Sequence, residues 1–413
     1  MMNEEIMDDE VDVLIIGAGA SGIAGLRQLK STTNFKIICF EVRSNLGGVW
    51  NYESNPGEIN LKFTPEGKPI INETDPSITP IYKGLRTNVP IELMTFKDIP
   101  FNSSSSSSFP HHSEILDYLD DSVDQELKEL IRFNTNVNRI QYNPNHSSGN
   151  PSKHWMIEYT KIDQDSKSNP SIIYADFILA ANGHNSQPYI PFLEGLSTFP
   201  NQITHSLYYR TPKDDIIKRS KTIAVVGLGP SGYDILREIA NLPPEDQPTK
   251  LYSLSNHPSS IGYDFTDPNS PKWTQNILAK PGLKSIQKSS LILEDLSEIH
   301  SIDLLIFATG YHYSYDFCHQ NDSPWCDYPI LNYQFKRRLH NVDSLQTFYF
   351  HDPSFAFLVI NTSVIPFPLA EHQARAIASR WSKKSNFELF PFKNETEESS
   401  SVHVLIPKNP SLI

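Results

Sequence analysis

Cysteine is scarce: three in 413 residues, too few for a disulfide framework. Cys39, Cys318 and Cys326 form no C-x-x-C pair, which argues against a reductase built on a redox dithiol. No apolar run reaches the ~20 residues that span a bilayer, so no transmembrane segment is expected. Basic residues are also short, with 35 Lys and Arg against 48 Asp and Glu and a formal charge of −13. Neutralising phosphates needs clustered cations, and none stands out, so a nucleic-acid partner is not expected. His312, His351 and His372 lack metal-ligand spacing, and no metal is expected. The first ten residues carry Glu4, Glu5, Asp8, Asp9 and Glu10, the opposite of a signal peptide's basic start. The expectation is a cytoplasmic protein, with its six N-x-S/T sequons (Asn72, Asn102, Asn145, Asn321, Asn361, Asn394) read as chance.

Apolar material is ample, at 38% hydrophobic and 11% aromatic, and the length predicts two or three domains at ~150 residues each. Val11–Ile16 is a short apolar run ending in glycine, the pattern of a buried parallel strand. A helix is predicted over 21–30 and a second strand over 36–41, completing a βαβ unit. Residues 51–110 read as long structured loop, with a serine run at 103–108 as a surface segment. The spacing of Ile115, Leu119, Val123, Leu127 and Leu130 predicts a helix over 113–133, N-capped by Ser113. Strands near 137–142, 155–160 and 172–174 predict a small antiparallel meander, followed by a buried strand at 177–181. A second cycle then starts: a strand at 222–226, a helix at 231–241 stopped by Pro243-Pro244, and a strand at 251–254. It closes on an apolar strand from Leu304. Both cycles end in A-x-G, at Ala181–Gly183 and Ala308–Gly310. A segment at 355–360 leads to a last helix from Leu369 to about Ser385.

Gly17-Ala18-Gly19-Ala20-Ser21-Gly22 is G-x-G-x-x-G placed directly after a strand. Its first glycine permits a tight turn, its second admits a pyrophosphate, and its third lets helix pack on strand. The helix N-terminus offers N–H groups to phosphate. Glu41, nineteen residues after Gly22 at the end of the second strand, is placed to accept hydrogen bonds from a ribose, with Arg43 beside it. Gly227-Leu228-Gly229-Pro230-Ser231-Gly232 repeats the device, and Asp234 follows in its helix. Here no acid closes the second strand. Ser253, Ser255, Asn256 and His257 are neutral, which favours NADPH, because an acid would repel a 2′-phosphate. Two dinucleotide sites in one chain imply electron transfer between cofactors, FAD at the first and NADPH at the second. The fold expected is α/β with two Rossmann-like dinucleotide-binding domains. The NADPH domain (193–304) is inserted in the FAD domain (1–192 and 305–413).

With no dithiol to receive the electrons, O2 and a small substrate become the expected acceptors. At this point the residues match a family. The chain resembles flavin-containing monooxygenases, in particular their compact fungal branch, from residue 11 to about 381. Gly47-Gly48-Val49-Trp50 resembles the family's GGVW segment, which implies flavin contacts for Gly48, Val49 and Trp50. Leu85-Arg86-Thr87-Asn88-Val89-Pro90 with Glu92-Leu93-Met94 resembles L-x-TN-x-P-x-ELM. Asn182-Gly183-His184, Ala308-Thr309-Gly310-Tyr311 and the tail Pro366-Phe367-Pro368 with Gln373-Ala374 also match. Phe199, His205 and Tyr209 fit the family fingerprint, with Asn201 where the family has glycine; asparagine is the next most tolerant residue of φ > 0.

The resemblance implies NADPH reduction of FAD, capture of O2 as a flavin C4a-hydroperoxide, and attack by a soft sulfur or nitrogen nucleophile. Small thiols are its leading substrates, with sulfides and amines behind them. It further implies that Thr87, Thr309 and Gly310 contact cofactor, and that the Asn88 amide is the catalytic group, a donor to the peroxide. A homodimer and the cytosolic face of the endoplasmic reticulum are compatible with the family. His184 is expected to be structural, and Trp325, Tyr328, Tyr333 and Phe335 to be packing. The alternatives are a non-oxygenating reductase passing electrons to a partner, and a redox sensor that holds both nucleotides without turnover. A Baeyer–Villiger enzyme would carry a further signature and an active-site Arg that this sequence does not show.

Overall fold

In the computed structural model, described for residues 10–59, 61–70, 78–101, 107–146, 153–162, 170–259, 261–288, 290–331 and 338–382, strand β1 (Glu10–Ile16) is covered on both faces. Val13 and Ile15 point into one core cluster, Leu14 and Ile16 into another. That explains its apolar run from Val13 to Ile16. Helix α1 (Ala20–Thr32) lays Ile23, Leu26 and Leu29 over the first of these faces and returns the chain to β2 (Ile37–Phe40), parallel to β1.

The long helix expected over 113–133 is in fact shorter. Helix α2 (His112–Asp121) is capped by His111, not Ser113, and a separate turn, Gln125–Lys128, is capped by Asp124 Oδ1 at 2.9 Å. The apolar positions are buried as the periodicity requires, from Ile115 to Leu127. Competition from a strand ends the helical path, since β3 (Ile131–Arg132) pairs with β2. Strands β4 (Thr135–Tyr142), β5 (Trp155–Lys161) and β6 (Ser171–Ala180) follow, antiparallel to one another. The two strands expected at 172–174 and 177–181 are thus one, whose C-terminal half lies parallel to β1.

The second unit is built from β7 (Gln202–His205), β8 (Thr222–Val226), α3 (Pro230–Ala240), β9 (Lys250–Leu254) and β10 (Ile277–Lys280). After them come an antiparallel β11 (Leu283–Gln287), β12 (Ser290–Leu293) and β13 (Glu298–Ile299), and then β14 (Leu304–Phe307). Its sheet runs β7-β14-β8-β9-β10, parallel throughout. The chain then goes back to the first sheet with β15 (Phe355–Phe357) beside the end of β6, and finishes in α4 (Pro366–Trp381). The first sheet is therefore β3-β2-β1-β6-β5-β4 with β15 attached to β6. One Rossmann-like unit is inserted in another. Ser385, Tyr333, Phe335 and most of the serine run lie outside the described residues. No helix among the described residues is long and apolar enough to cross a membrane.

Candidate cofactor sites

The two fingerprints have the same local geometry. Gly17 and Gly227 have φ of +96° and +97°, and a Cβ on either would lie 2.7 Å from Ala181 O or 2.6 Å from Ala308 O. The A-x-G ends of β6 and β14 are thus what the first glycines turn against. The third glycines, Gly22 and Gly232, sit on the carbonyls of Gly17 and Gly227, where a Cβ would come within 1.8 and 2.1 Å.

The second glycines differ. Gly19 and Gly229 have ordinary extended backbones, and they are the N-caps of α1 and α3. A Cβ on Gly19 would make ordinary contacts with Gly48, Cα at 3.4 Å and N at 3.8 Å, and a Cβ on Gly229 would meet nothing within 4 Å. No protein contact demands glycine at either place. Neither helix has a side-chain cap or an acid in its first turn, so the amides after them, at Ala20, Ser21, Ser231 and Gly232, lack side-chain acceptors. An open cradle under uncapped amides fits a dinucleotide pyrophosphate.

The first cradle opens into a cleft of about 930 Å³, a size usual for cofactor sites. Gly17, Gly19, Ala20, Ser21, Glu41 and Arg43 line it, as do Gly48, Val49 and Trp50. Gly48 is locked to the fingerprint: its φ is +55°, a Cβ would lie 2.7 Å from Gly19 Cα, and Gly47 N–H donates to Ala18 O at 2.9 Å. The G-G-V-W loop is the second wall of the cradle, which spacing alone does not reveal. Trp50 meets Phe367 edge-on at 6.4 Å.

Glu41 is buried, and its Oε2 accepts Ala18 N–H at 2.6 Å while Oε1 accepts Arg43 N–H at 3.0 Å. It braces the fingerprint turn, and a carboxylate keeps lone pairs for a ribose beyond these two. Asn182, on the cleft, donates Nδ2–H to Ser314 O at 2.8 Å, but its buried Oδ1 has no partner among the described residues and is left for a ligand donor. His184 lines the same wall and packs against Tyr313 at 5.4 Å; burial pulls its pKa down, so it is neutral at pH 7. Below the turn, burial and the Glu41 charge keep the Cys39 thiol protonated.

Other predicted residues are elsewhere. Thr87 is buried and bonds within its own turn, Oγ1–H to Val89 O at 2.8 Å, while Asn88 is exposed and not among the cleft-lining residues. Thr309 and Gly310 join the two units: Thr309 Oγ1 donates to Tyr189 O, and Tyr189 N–H donates to Gly310 O at 2.9 Å. Ser253 is buried within β9, whereas Ser255 turns to donate to His257 O at 2.8 Å. Asp234 accepts the Tyr82 hydroxyl and pairs with Arg237 at 2.9 Å. Asn201 is not left-handed; its Nδ2 donates to Ile302 O at 2.7 Å, so a side-chain hydrogen bond, not a glycine-like turn, settles that corner. Trp325 is core, stacked on Trp155 at 5.7 Å, and Tyr328 is partly exposed against His351.

Two walls escape sequence reading. One is Ile78, Thr79 and Pro80, tied to the second unit because buried Arg210 donates to Thr79 O at 2.9 Å and to Glu53 O at 2.6 Å. The other runs from Leu358 to Phe367, for which the Pro366-Phe367-Pro368 motif was the signal.

With this geometry in view, the comparisons are specific. The family described as flavin-binding monooxygenase-like matches residues 10–245, more than half of the chain. The chain is 28% identical over 382 residues to the Arabidopsis thaliana flavin-containing monooxygenase FMO GS-OX-like 7, covering 89% of this chain and 72% of the relative. It is similar to the structure of S-allyl-L-cysteine S-oxygenase from Allium sativum, with TM-score 0.67 and 25% identity over 91% of this chain and 77% of that one. It shares its fold with Tmm from a Pelagibacter strain, with TM-score 0.68 and 23% identity over 91% and 77% of the two chains. The chain belongs to the flavin-binding monooxygenase-like family, and it is a flavin-containing monooxygenase, an oxidoreductase that uses FAD and NADPH.

Proposed function

We propose that the protein inserts one atom of O2 into a soft nucleophile, with small thiols and sulfides first and amines second, and takes its electrons from NADPH. The observation that carries this reading is the pair of open cradles at Gly19 and Gly229, two dinucleotide sites in one chain. FAD, when bound, supplies oxygen activation and NADPH the two electrons; the residues bind, orient and keep out water.

The fingerprint amides and Glu41 hold the first dinucleotide, with Gly48, Val49 and Trp50 closing its wall. Gly227 to Gly232 hold the second, in a domain we place between the FAD-domain segments; it starts at 193, and its end moves from the expected 304 to the end of β14 at Phe307, because that strand pairs with β7 and β8 in the second sheet. Sulfur as the oxygen acceptor is supported by the likeness to an S-oxygenase. Oxygen rather than a disulfide as the electrons' destination is supported by the cysteines: none of the three is in a disulfide, and Cys39 and Cys318 are buried with their thiols pushed towards the protonated form. Asn88 we assign to the oxygenation step. Its neighbours Val89 and Ile91 pack on the same core cluster as Trp50. A neutral amide donates without titrating near pH 7.

The test is a panel of one thiol, one sulfide and one tertiary amine, each incubated with the flavin-loaded protein, NADPH and air. Products heavier by one oxygen atom from the sulfide or the amine, or from the thiol a sulfenic acid trapped before it condenses with a second thiol to disulfide and water, absent under nitrogen, support the reading. NADPH loss with no oxygenated product from any of the three refutes it.

A further inference from the structure

The turn from β15 into α4 forms one wall of the FAD cleft, and it is bent in an unexpected way. Val359, buried and on the cleft, has φ +52°. A β-branched residue is ill suited to left-handed backbone, and such strain persists only where the surroundings over-determine it. The determinant lies on α4. Gln373 is 6% exposed, and its Oε1 accepts the Val359 N–H at 2.9 Å. Its Nε2 donates to Thr347 Oγ1 at 3.2 Å and to Asn361 Oδ1 at 3.4 Å. Flipping the amide would put Nε2 against the Val359 N–H, so this orientation follows from the network. Thr347 is itself fixed, since its carbonyl accepts Phe357 N–H at 2.8 Å and its N–H donates to Asp343 Oδ1 at 2.5 Å. One side chain thus satisfies the strained amide and grips the same loop two residues further on. Gln373 is not itself among the cleft-lining residues.

We infer that Gln373 is a positioning residue for FAD: it holds Val359 in the left-handed conformation and so gives the 358–364 wall the shape that receives the cofactor. The inference rests on the placement of FAD in this cleft. If it holds, glycine at 359, which adopts that backbone without strain, removes the need for the clamp.

The experiment compares full-length wild type, Gln373→Leu, Val359→Gly and the double variant. Each apoprotein is titrated with FAD by flavin fluorescence, and the visible flavin spectrum is recorded as a second readout. Gln373→Leu is expected to weaken FAD by about tenfold or more and to blur the band structure. The double variant is expected to return to within about threefold of Val359→Gly, the non-additivity of residues that act through one another. Gln373→Leu with wild-type affinity and spectrum overturns the inference. So does a double variant as weak as Gln373→Leu, and, should Gln373→Leu not fold, a double variant that does not fold either. Gly19→Ala separates the underlying assumption: if it binds FAD like wild type, the placement of FAD in this cleft is wrong, and the inference falls with it.

Discussion

A methyl group at position 229 distinguishes a glycine kept for the fold from one kept for a ligand. Gly229 has φ −75° and ψ −175°, which alanine adopts freely, and its Cβ would have open space to 4 Å. Alanine costs up to about 1 kcal/mol as a poorer N-cap, against roughly 0.4–1 kcal/mol gained from a less free unfolded chain. The terms cancel, so the melting temperature should stay within about 3 °C of wild type. The ligand side does not cancel. A phosphate oxygen at the usual ~2.9 Å from a backbone nitrogen leaves no room for a carbon beside it. Losing even one or two charge-assisted hydrogen bonds, at roughly 1.5–3 kcal/mol each, gives about 3 kcal/mol, near a hundredfold in the Kd for NADPH. The assay is anaerobic mixing of flavin-loaded Gly229→Ala with NADPH, following the visible flavin band. FAD should remain bound at wild-type stoichiometry while reduction requires about a hundredfold more NADPH. Reduction at wild-type NADPH concentrations would refute the assignment of the second cradle.

Other outcomes follow from single features. The neutral end of β9 predicts that NADPH is used better than NADH by about tenfold or more in kcat/KM, and equal values would contradict that reading of Ser253 to His257. Asn88→Asp replaces a donor by a charged acceptor; NADPH reduction should survive while product per NADPH falls by roughly 10²-fold and peroxide accumulates, and an unchanged ratio would make Asn88 a turn residue only. Burial works to raise the Asp352 carboxyl, but hydrogen bonds from His154 (2.6 Å) and Ser354 outweigh it and hold the pKa below the usual range. A depressed carboxylate stabilises the fold above its unfolded pKa of ~3.9 and loses that contribution as pH falls through its folded value. Asp352→Asn should therefore cost about 2 kcal/mol in denaturant melts at pH 7, with the gap closing towards acid pH; a gap that widens in acid would reverse the sign.

Much of the architecture was readable because its signals are local. A strand buried on both faces shows as an apolar run, as in Val11–Ile16 and Thr222–Val226, and a dinucleotide turn shows as three spaced glycines. The helix over 113–133 is shorter than its periodicity suggests: the apolar period continues through Leu127, but the helix stops at Asp121, Asp124 caps a separate turn, and pairing of Ile131 with Cys39 makes the rest a strand. The sites divide in the same way. Gly19, Glu41 and Trp50 carry fold-independent marks, whereas Thr79 joins the cleft through Arg210, some 130 residues away, and Val359 through Gln373 on another element. Asn182 was noticed as a motif, but only its orphaned Oδ1 shows what the motif leaves open.

The proposed reaction brings electrons from NADPH and one atom of O2 together on a soft nucleophile. The most direct test supplies isotopically heavy O2 to the flavin-loaded enzyme with NADPH and a small sulfide, and counts NADPH lost, label in the product and peroxide formed. One labelled oxygen atom is expected in the sulfoxide for each NADPH consumed, with little peroxide. NADPH electrons recovered entirely as peroxide, or product whose oxygen comes from water, would contradict it.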